Sequence, residues 1–551
     1  MLRGLARYAR MAVFRKIAVE LMQIKKSPTE NKIFSLLLDV VKDKAPDTIL
    51  RVAGGWVRDK LLGKECHDID ISLNNMSGEQ FANLVKEYMD EHGIHTKGVS
   101  VVKANPDQSK HLATAMINIF GLPIDFVNLR KETYAESRIP TVEPGTPEED
   151  ARRRDLTINS LFYNLNNDKI EDFVGGIEDL KNGVIRTPID PIQTFIDDPL
   201  RILRTIRFAS KYGFDVAPEI LEAANNKEVQ DAFRSKVSAE RVWKELAGQA
   251  EPEGWKSGFL TGPDPHKAAK LLGQMGLRDI LFGLSEEEQK QLGLSKGMVS
   301  FDTVQHNPHH DLTVWEHTLK VLEFLVKHQT TEEQKNRAED YLVRNISALL
   351  HDIGKCDICA IQMYSPDHPE YKARLEKLKE KYGLTHEGEL RTFEGHAESS
   401  AKMAEYVLDR MKAPKNISKR VVRLVKEHMR PHGMTNISDK GLRTFIKDLE
   451  DDWRHSLELA IADAYGKSGQ TPEARDKYDA IIKRIDEIIA QMGGGTKVKP
   501  PITGNDLIQI LGFKSGPAMG QALRALQEKL LETPNMSKEE AIEFIKALNL
   551  V

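Results

Sequence analysis

Cysteine is nearly absent. Cys66, Cys356 and Cys359 are the only three in 551 residues, too few for a disulfide framework, so a disulfide-stapled scaffold is excluded and a reducing compartment is expected. Cys356 and Cys359 make a CxxC without a second pair, a weak zinc or redox signal beside ordinary packing. Long apolar runs are missing too: none reaches the ~18 residues of a spanning helix, and no membrane partner is expected. Neither sign of charge prevails, with 79 Lys and Arg against 83 Asp and Glu and a net charge of −4. That balance excludes a uniformly basic nucleic-acid coat; an RNA partner would need local basic surface. Only the first 19 residues break it, holding five Arg or Lys and no acid. The expected location is cytoplasmic, or mitochondrial if residues 1–25 are an amphipathic presequence.

What is present concentrates in residues 51–73, RVAGGWVRDKLLGKECHDIDISL. A short apolar strand runs into Gly54 and Gly55, an amphipathic stretch follows, and Asp68 and Asp70 stand at i, i+2. Side chains alternate along a strand, so the two carboxylates face one way and can grip one metal ion. The glycines let backbone N–H groups approach a polyphosphate, and Arg58 is within reach of the same anion. Downstream, PIDFVNLR alternates Ile124 and Phe126 with Asp125 and Val127. An unpaired charge is poorly placed in a core, so Asp125 reads as a third carboxylate on a neighbouring strand. Residues 130–150 are polar, carry three prolines and show no periodicity, which reads as a mobile loop.

The GGWVRD and DIDI runs resemble the catalytic head of polymerase-β superfamily nucleotidyltransferases, most closely class II tRNA nucleotidyltransferases, the CCA-adding enzymes. In ARRRDLTINS, residues Arg153, Arg154, Asp155 and Asn159 match the family's ribose and triphosphate motif; arginine forks suit phosphate oxygens, and Asp or Asn suit ribose hydroxyls. Leu156 and Ser160 depart from the usual aromatic and alanine without removing a polar contact. Residues 197–201, DDPLR, open a helix in which Asp198 reads as N-cap and Pro199 as the first turn. Asp198 only accepts and Arg201 only donates, which fits cytosine and adenine, each carrying an exocyclic amine beside a ring acceptor. The plain alternative is a cap and an i, i+3 ion pair. In the resembling family this motif is the protein template for base choice, and a flexible loop after the third carboxylate helps the switch from C to A addition. Arg204 and Arg207 extend the basic row toward triphosphate or acceptor stem. The SAERVWKEL run, with Arg241 and Glu245, resembles a motif of mostly structural role.

From about residue 296 the character changes. QHNPHHDLTVWEHTLKVLEFL, ALLHDIGKCD, GHAESS, VKEHMRPHG and LELAIADAYGK supply His317, His351, Asp352, His396, His428 and Asp463 as candidate metal ligands on helical patterns. Imidazole with carboxylate suits Mn, Ni, Co, Fe or Zn rather than Mg alone. The order resembles the binuclear HD phosphohydrolases, and Lys355 resembles their phosphate-facing lysine. His306, His309 and His310 form a further cluster at a loop or rim. The last stretch, PITGNDLIQILGFKSGPAMGQALRALQEKLL, resembles a small C-terminal module of bacterial members, whose glycine turns before helix N-termini can meet RNA phosphates.

The fold expected is α+β: a small mixed-sheet nucleotidyltransferase head followed by all-α neck, body, HD and C-terminal helical domains. The expected segments are a helical extension at 1–46, the head at 47–190, a neck and RNA-binding helical domain at 191–295, the HD domain at 296–475 and the C-terminal module at 476–551. The resemblance implies CCA addition to tRNA from CTP and ATP with Mg²⁺ on Asp68 and Asp70, and an HD phosphatase or 2′,3′-cyclic phosphodiesterase using a transition metal. A poly(A) polymerase of the same superfamily and an HD hydrolase with a relic head are the rivals.

Overall fold

The computed structural model describes residues 24–96, 98–102, 114–134, 140–251, 254–293, 301–305, 312–328, 338–356, 362–364, 367, 369–373, 375–376, 390–393, 395–467, 472–492, 496 and 500–550. The expectations for residues 1–23, His306, His309, His310 and Cys359 lie outside them, as does most of the glycine-rich linker. Two compact units divide the chain, Met1–Leu281 and Phe282–Val551.

The first unit is built on a seven-stranded mixed sheet. Its strands are β1 Leu50–Ala53, β2 Ile69–Leu73, β3 Val99–Val102, β4 Thr114–Ile119, β5 Leu122–Asn128 and, later in the chain, β8 Phe162–Asn164 and β9 Lys169–Glu171. They lie in the order β3-β4-β5-β2-β1-β8-β9, with β2 and β5 parallel and the other neighbours antiparallel. Helix α1 (Pro28–Lys44) starts at Ser27 in a capping box with Glu30, as Ser-x-x-Glu before an apolar run dictates. Short α2 (Gly55–Leu61) and α3 (Gly78–Glu91) follow β1 and β2. Ile33, Leu37, Phe81 and Val85 from these helices meet Ile69, Ile71, Ile124 and Phe126 in one buried core, with Phe81 edge-on to Phe126. Burying one face of the sheet leaves the polar residues that alternate with these to face the other way.

Residues 130–150 correct the reading of a mobile loop. β6 (Arg130–Thr133) pairs with β7 (Thr141–Pro144), and α4 (Pro147–Arg152) follows from a Thr146 capping box. A two-stranded hairpin polar on both faces has no hydrophobic alternation to betray it. Charge holds it instead: Glu132 accepts from Arg130 Nε at 2.7 Å and Arg153 Nη1 at 3.1 Å, and buried Asp150 accepts from Arg153 and Arg154.

The rest of this unit is mainly helical, with α5 (Pro191–Asp197), α6 (Leu200–Tyr212) and α7 (Ala239–Ala247) beside the site. The expected all-α neck also carries a small hairpin, Gly248–Glu251 with Gly254–Ser257.

In the second unit, α8 (Val314–Lys327), α9 (Ala338–Leu350), α10 (His396–Arg410), α11 (Lys415–Glu427), α12 (Asp439–Leu449), α13 (Trp453–Gly466) and α14 (Pro472–Gln491) form the helical body. A two-stranded pair, Gln362–Tyr364 with Leu390–Thr392, departs from the all-α expectation. The last helices, α15 (Gly504–Leu511), α16 (Pro517–Leu530) and α17 (Lys538–Ala547), enclose a separate small core around Leu507, Leu526 and Ile545. Among the described residues no helix is long and apolar enough to cross a membrane.

Candidate active sites

In the first unit one cleft of about 1130 Å³ opens over the polar face of the sheet. It is lined by Asp68 and Asp70 and by all ten residues expected to touch the nucleotide: Gly54, Gly55, Arg58, Arg154, Asp155, Asn159, Asp198, Arg201, Arg204 and Arg207. These come from positions as far apart in sequence as 54 and 207, so no local constraint gathered them. Asp70 lies directly across from Asp125 in the parallel β2–β5 register. Burial, then the Asp68 charge, pushes the Asp125 carboxyl above its ordinary value, the behaviour of carboxylates that share a site. Donor groups of three or more within 4.8 Å of one another occur among the described residues only in the second unit, so the head carboxylates, Asp70 and Asp125 in register and Asp68 just ahead of β2, do not close to that spacing.

Gly54 has φ +66°, and a Cβ there would stand 2.9 Å from Arg154 Nη1 and 3.2 Å from the Asn159 carbonyl oxygen. Both the backbone and the space therefore require glycine. Arg58 is less free than its sequence position suggests. It donates to Asp59 from Nε at 2.9 Å and to Asn159 from Nη1, and its guanidinium lies over the Phe208 and Tyr212 rings. Asp155 accepts from Asn159 Nδ2 at 3.1 Å and from Arg204 Nε at 2.7 Å. Burial works against its charge, but Arg204, the Asn159 hydrogen bond and Arg201 hold the carboxyl down at about 2. A depressed pKa contributes stability that is complete above the ordinary value near 4 and lost as pH falls through the folded value near 2. We expect Asp155→Asn to cost about 2 kcal/mol at pH 7 and nothing below pH 2, read by denaturant unfolding at the two pH values.

Asp198 and Arg201 differ from the reading at two points. The helix begins at Leu200 with Pro199 as its cap residue, and Asp198 Oδ1 accepts the Leu200 N–H from one position further out, at 3.3 Å. The i, i+3 ion pair is not what holds them. Both Asp198 oxygens accept from Arg241 Nη2, at 2.8 and 3.1 Å, while Arg201 Nη2 donates to the Arg153 carbonyl at 2.7 Å. Glu245, one turn beyond Arg241 on α7, accepts from Arg207 Nε at 2.6 Å. Arg241 thus joins the cleft wall, with Glu132 and Tyr134 of the hairpin. Sequence reasoning assigned it a structural role; its spacing of four from Glu245 on an amphipathic run was the available signal.

The second unit brings all six predicted ligands together in two groups, His317–His351–Asp352–Asp463 and Asp352–His396–His428. Asp352 belongs to both. Its Oδ2 lies 3.5 Å from His317 Nε2 and 3.3 Å from His351 Nε2, and its Oδ1 lies 3.4 and 3.6 Å from His396 and His428 Nε2. The rings of His351, His396 and His428 are fixed by Nδ1 contacts to the carbonyls of Ala348, Phe393 and Val425 at 2.6–2.8 Å. A carbonyl only accepts, so each Nδ1 carries a proton, and in the neutral, metal-binding form each Nε2 turns a lone pair inward. His396 and His428 bring theirs within 3.2 Å of each other, a repulsion that a shared cation relieves. Burial lowers the His317, His396 and His428 values, His396 to about 3, keeping those rings neutral near pH 7. For His351 burial is outweighed by Asp352 and the value rises. Burial opposes the Asp352 charge, but His351 and Lys355 hold its carboxyl well below the usual range. The donor set fits divalent transition metals. Lys355 is itself buried, donating to Asp352 Oδ2 at 2.6 Å and Gln305 Oε1 at 3.2 Å.

A methyl at Gly466, the last residue of α13, would stand 2.7 Å from His317 Cε1 and 2.9 Å from Nδ1. Gly466→Ala should displace that ring, weakening divalent-metal binding by about tenfold or more at a stability cost of about 1–3 kcal/mol, measured by Mn²⁺ titration and thermal unfolding. His432 was not among the predicted ligands; it touches Asp463, and its spacing of four from His428 was the missed signal.

Residues 50–186 match the Poly A polymerase head domain and residues 314–491 the HD domain. The mitochondrial CCA tRNA nucleotidyltransferase of Candida glabrata is 32% identical, over 97% of this chain and 98% of its own length. That of Saccharomyces cerevisiae is 31% identical, over 92% and 89%. A CCA-adding enzyme of Bacillus stearothermophilus, solved in complex with CTP, shares the fold with a TM-score of 0.55 at 18% identity, over 95% of this chain and 98% of that one. Identity above 30% along nearly the whole of both chains means that this chain belongs to the CCA tRNA nucleotidyltransferase family.

Proposed function

We propose that this chain adds C, C and A in turn to the 3′ end of tRNA, consuming CTP and ATP and releasing pyrophosphate. The observation that carries the reading is the single cleft in which Asp68 and Asp70 share walls with all ten nucleotide-contact candidates. Carboxylates alone suit Mg²⁺, which when held by Asp68, Asp70 and Asp125 supplies charge neutralisation and activation of the attacking 3′-hydroxyl. The guanidiniums of Arg154, Arg204 and Arg207 face the triphosphate, and Asp155 and Asn159 face the ribose. Asp198 keeps about one acceptor site beyond those turned to Arg241 and the Leu200 N–H, since a carboxylate offers about four; it accepts the exocyclic amine of cytosine or adenine while Arg201 donates to the ring acceptor. Guanine and uracil set a carbonyl against Asp198 and are rejected.

The test uses tRNA transcripts ending before CCA, after C and after CC, each given CTP, ATP or both with Mg²⁺. Growth that stops at CCA and takes ATP only after both cytidines is the expected result. Long A tracts made without CTP would transfer the assignment to poly(A) polymerase.

The second unit we assign as a phosphohydrolase for RNA phosphate ends, 2′,3′-cyclic or terminal, because its two donor groups share one carboxylate. Two divalent transition metals are its proposed complement; such ions supply Lewis acidity and a nucleophilic water. Ends blocked by phosphate cannot accept a nucleotide, so hydrolysis would prepare the first unit's substrate. Release of phosphate or opening of a cyclic end that depends on added Mn²⁺ or Ni²⁺ is expected. An inert protein under the same conditions would remove this assignment and leave the first untouched.

A further inference from the structure

Asp463 is buried and divides its two oxygens between different neighbours. Oδ1 turns inward to His317 Nε2 at 2.8 Å. Oδ2 turns outward to Lys467 Nζ at 2.7 Å and His432 Nε2 at 2.8 Å. On its other side the His432 ring meets the Tyr478 hydroxyl, with Nδ1 and the phenol oxygen 2.7 Å apart. The Nε2–Oδ2 approach is a close polar contact that falls outside hydrogen-bond alignment, while Nδ1 and the phenol oxygen stand within hydrogen-bond distance. The preceding residue of α14 completes the grip, Lys477 Nζ donating to the His432 carbonyl at 2.7 Å. One helix thus holds His432 by ring and backbone together.

We propose that His432, fixed by Tyr478, is a positioning residue for the first metal group: it pins Asp463 Oδ2 and so leaves Oδ1 as the oxygen offered beside His317, His351 and Asp352. This rests on the metal-site reading above and adds to it an asymmetry. The second group, Asp352 with His396 and His428, makes no use of Asp463. A residue that holds a ligand through its outer oxygen changes metal affinity by about 10–100-fold when removed, and here the loss should fall on one group only.

The experiment titrates the full chain with Mn²⁺ in excess Mg²⁺, which occupies the head carboxylates, reading free Mn²⁺ by electron paramagnetic resonance. Wild type should take up two equivalents. His432→Ala should keep one with wild-type affinity and bind the other about 10–100-fold more weakly. His432→Gln, whose amide can restore the polar contact to Oδ2, should recover most of the loss. Tyr478→Phe, which removes one hydroxyl, should weaken the same equivalent by a few-fold and serves should His432→Ala fold poorly. Two equivalents at wild-type affinity in both His432→Ala and Tyr478→Phe would overturn the proposal with the metal site intact. Equal weakening of both equivalents would overturn it in favour of a merely structural role. A wild type that binds no Mn²⁺ would remove the metal site itself, and the clamp with it.

Discussion

Asp68→Ala is expected to lower nucleotide addition by about three orders of magnitude or more, the scale of several kcal/mol of transition-state charge stabilisation, while the protein melts no lower than wild type. The two halves of that expectation have one cause. Asp70 and Asp125 come from two adjacent parallel strands in direct register, and Asp68 stands just ahead of the first of them. The Asp125 carboxyl is raised by burial and then by Asp68, so without a cation each negative charge is a liability to its neighbour. Removing one carboxylate relieves that repulsion and removes a ligand at once. A residue kept for the fold would behave in the opposite way, losing stability along with activity. Primer extension on a CC-ended transcript with ATP, beside thermal unfolding in metal-free buffer, separates the cases. Near wild-type turnover in Asp68→Ala would dismiss the carboxylate assignment, and a melting point lowered by many degrees would recast Asp68 as structural.

The same strands show which parts of the protein are legible without coordinates. Alternation of Ile69 and Ile71 with Asp70, and of Ile124 and Phe126 with Asp125, is a period-two signal that fixes both strand and face. It put three carboxylates on one side of a sheet whose order it could not supply. The His–Asp series was legible for a similar reason: helix starts and ends carry local marks, and His351, His396 and His428 all sit at such ends, where an Nδ1 contact to a carbonyl three residues back orients the ring. What stayed hidden were partnerships chosen by tertiary packing. Asp198 is satisfied by Arg241, 43 positions away, and not by Arg201 three positions away. Arg58 lies in the expected wall, yet three of its five N–H donors go to Asp59 and Asn159. The charged pair of strands β6 and β7 was invisible because Glu132 and Arg153 hold it where apolar side chains would have left a pattern. Local spacing names candidates; which donor reaches which acceptor depends on elements that sequence distance does not order.

Asp352→Asn carries the second large effect, and it should separate the two proposed chemistries. Asparagine keeps the volume and can still accept from Lys355, whose ammonium would otherwise be left buried without its partner at a cost of about 3–5 kcal/mol; the fold should therefore survive. The charge does not. Asp352 is the one residue common to both donor groups, each of its oxygens lying 3.3–3.6 Å from two histidine nitrogens. Without that anion each group faces a divalent ion with fewer negative charges, and the first keeps only Asp463. Both equivalents of Mn²⁺ should be weakened by at least about 100-fold, and phosphohydrolysis should fall with them. His396→Ala supplies the contrast: it belongs to the second group alone, so one equivalent should remain at wild-type affinity. Nucleotide addition, as proposed, uses Asp68, Asp70 and the cleft they line in the first unit, and should persist in both variants when Mg²⁺ is supplied. If Asp352→Asn left one equivalent bound at wild-type affinity, the shared-carboxylate arrangement would be wrong. If it abolished addition as well, the two activities would have to be treated as one coupled site.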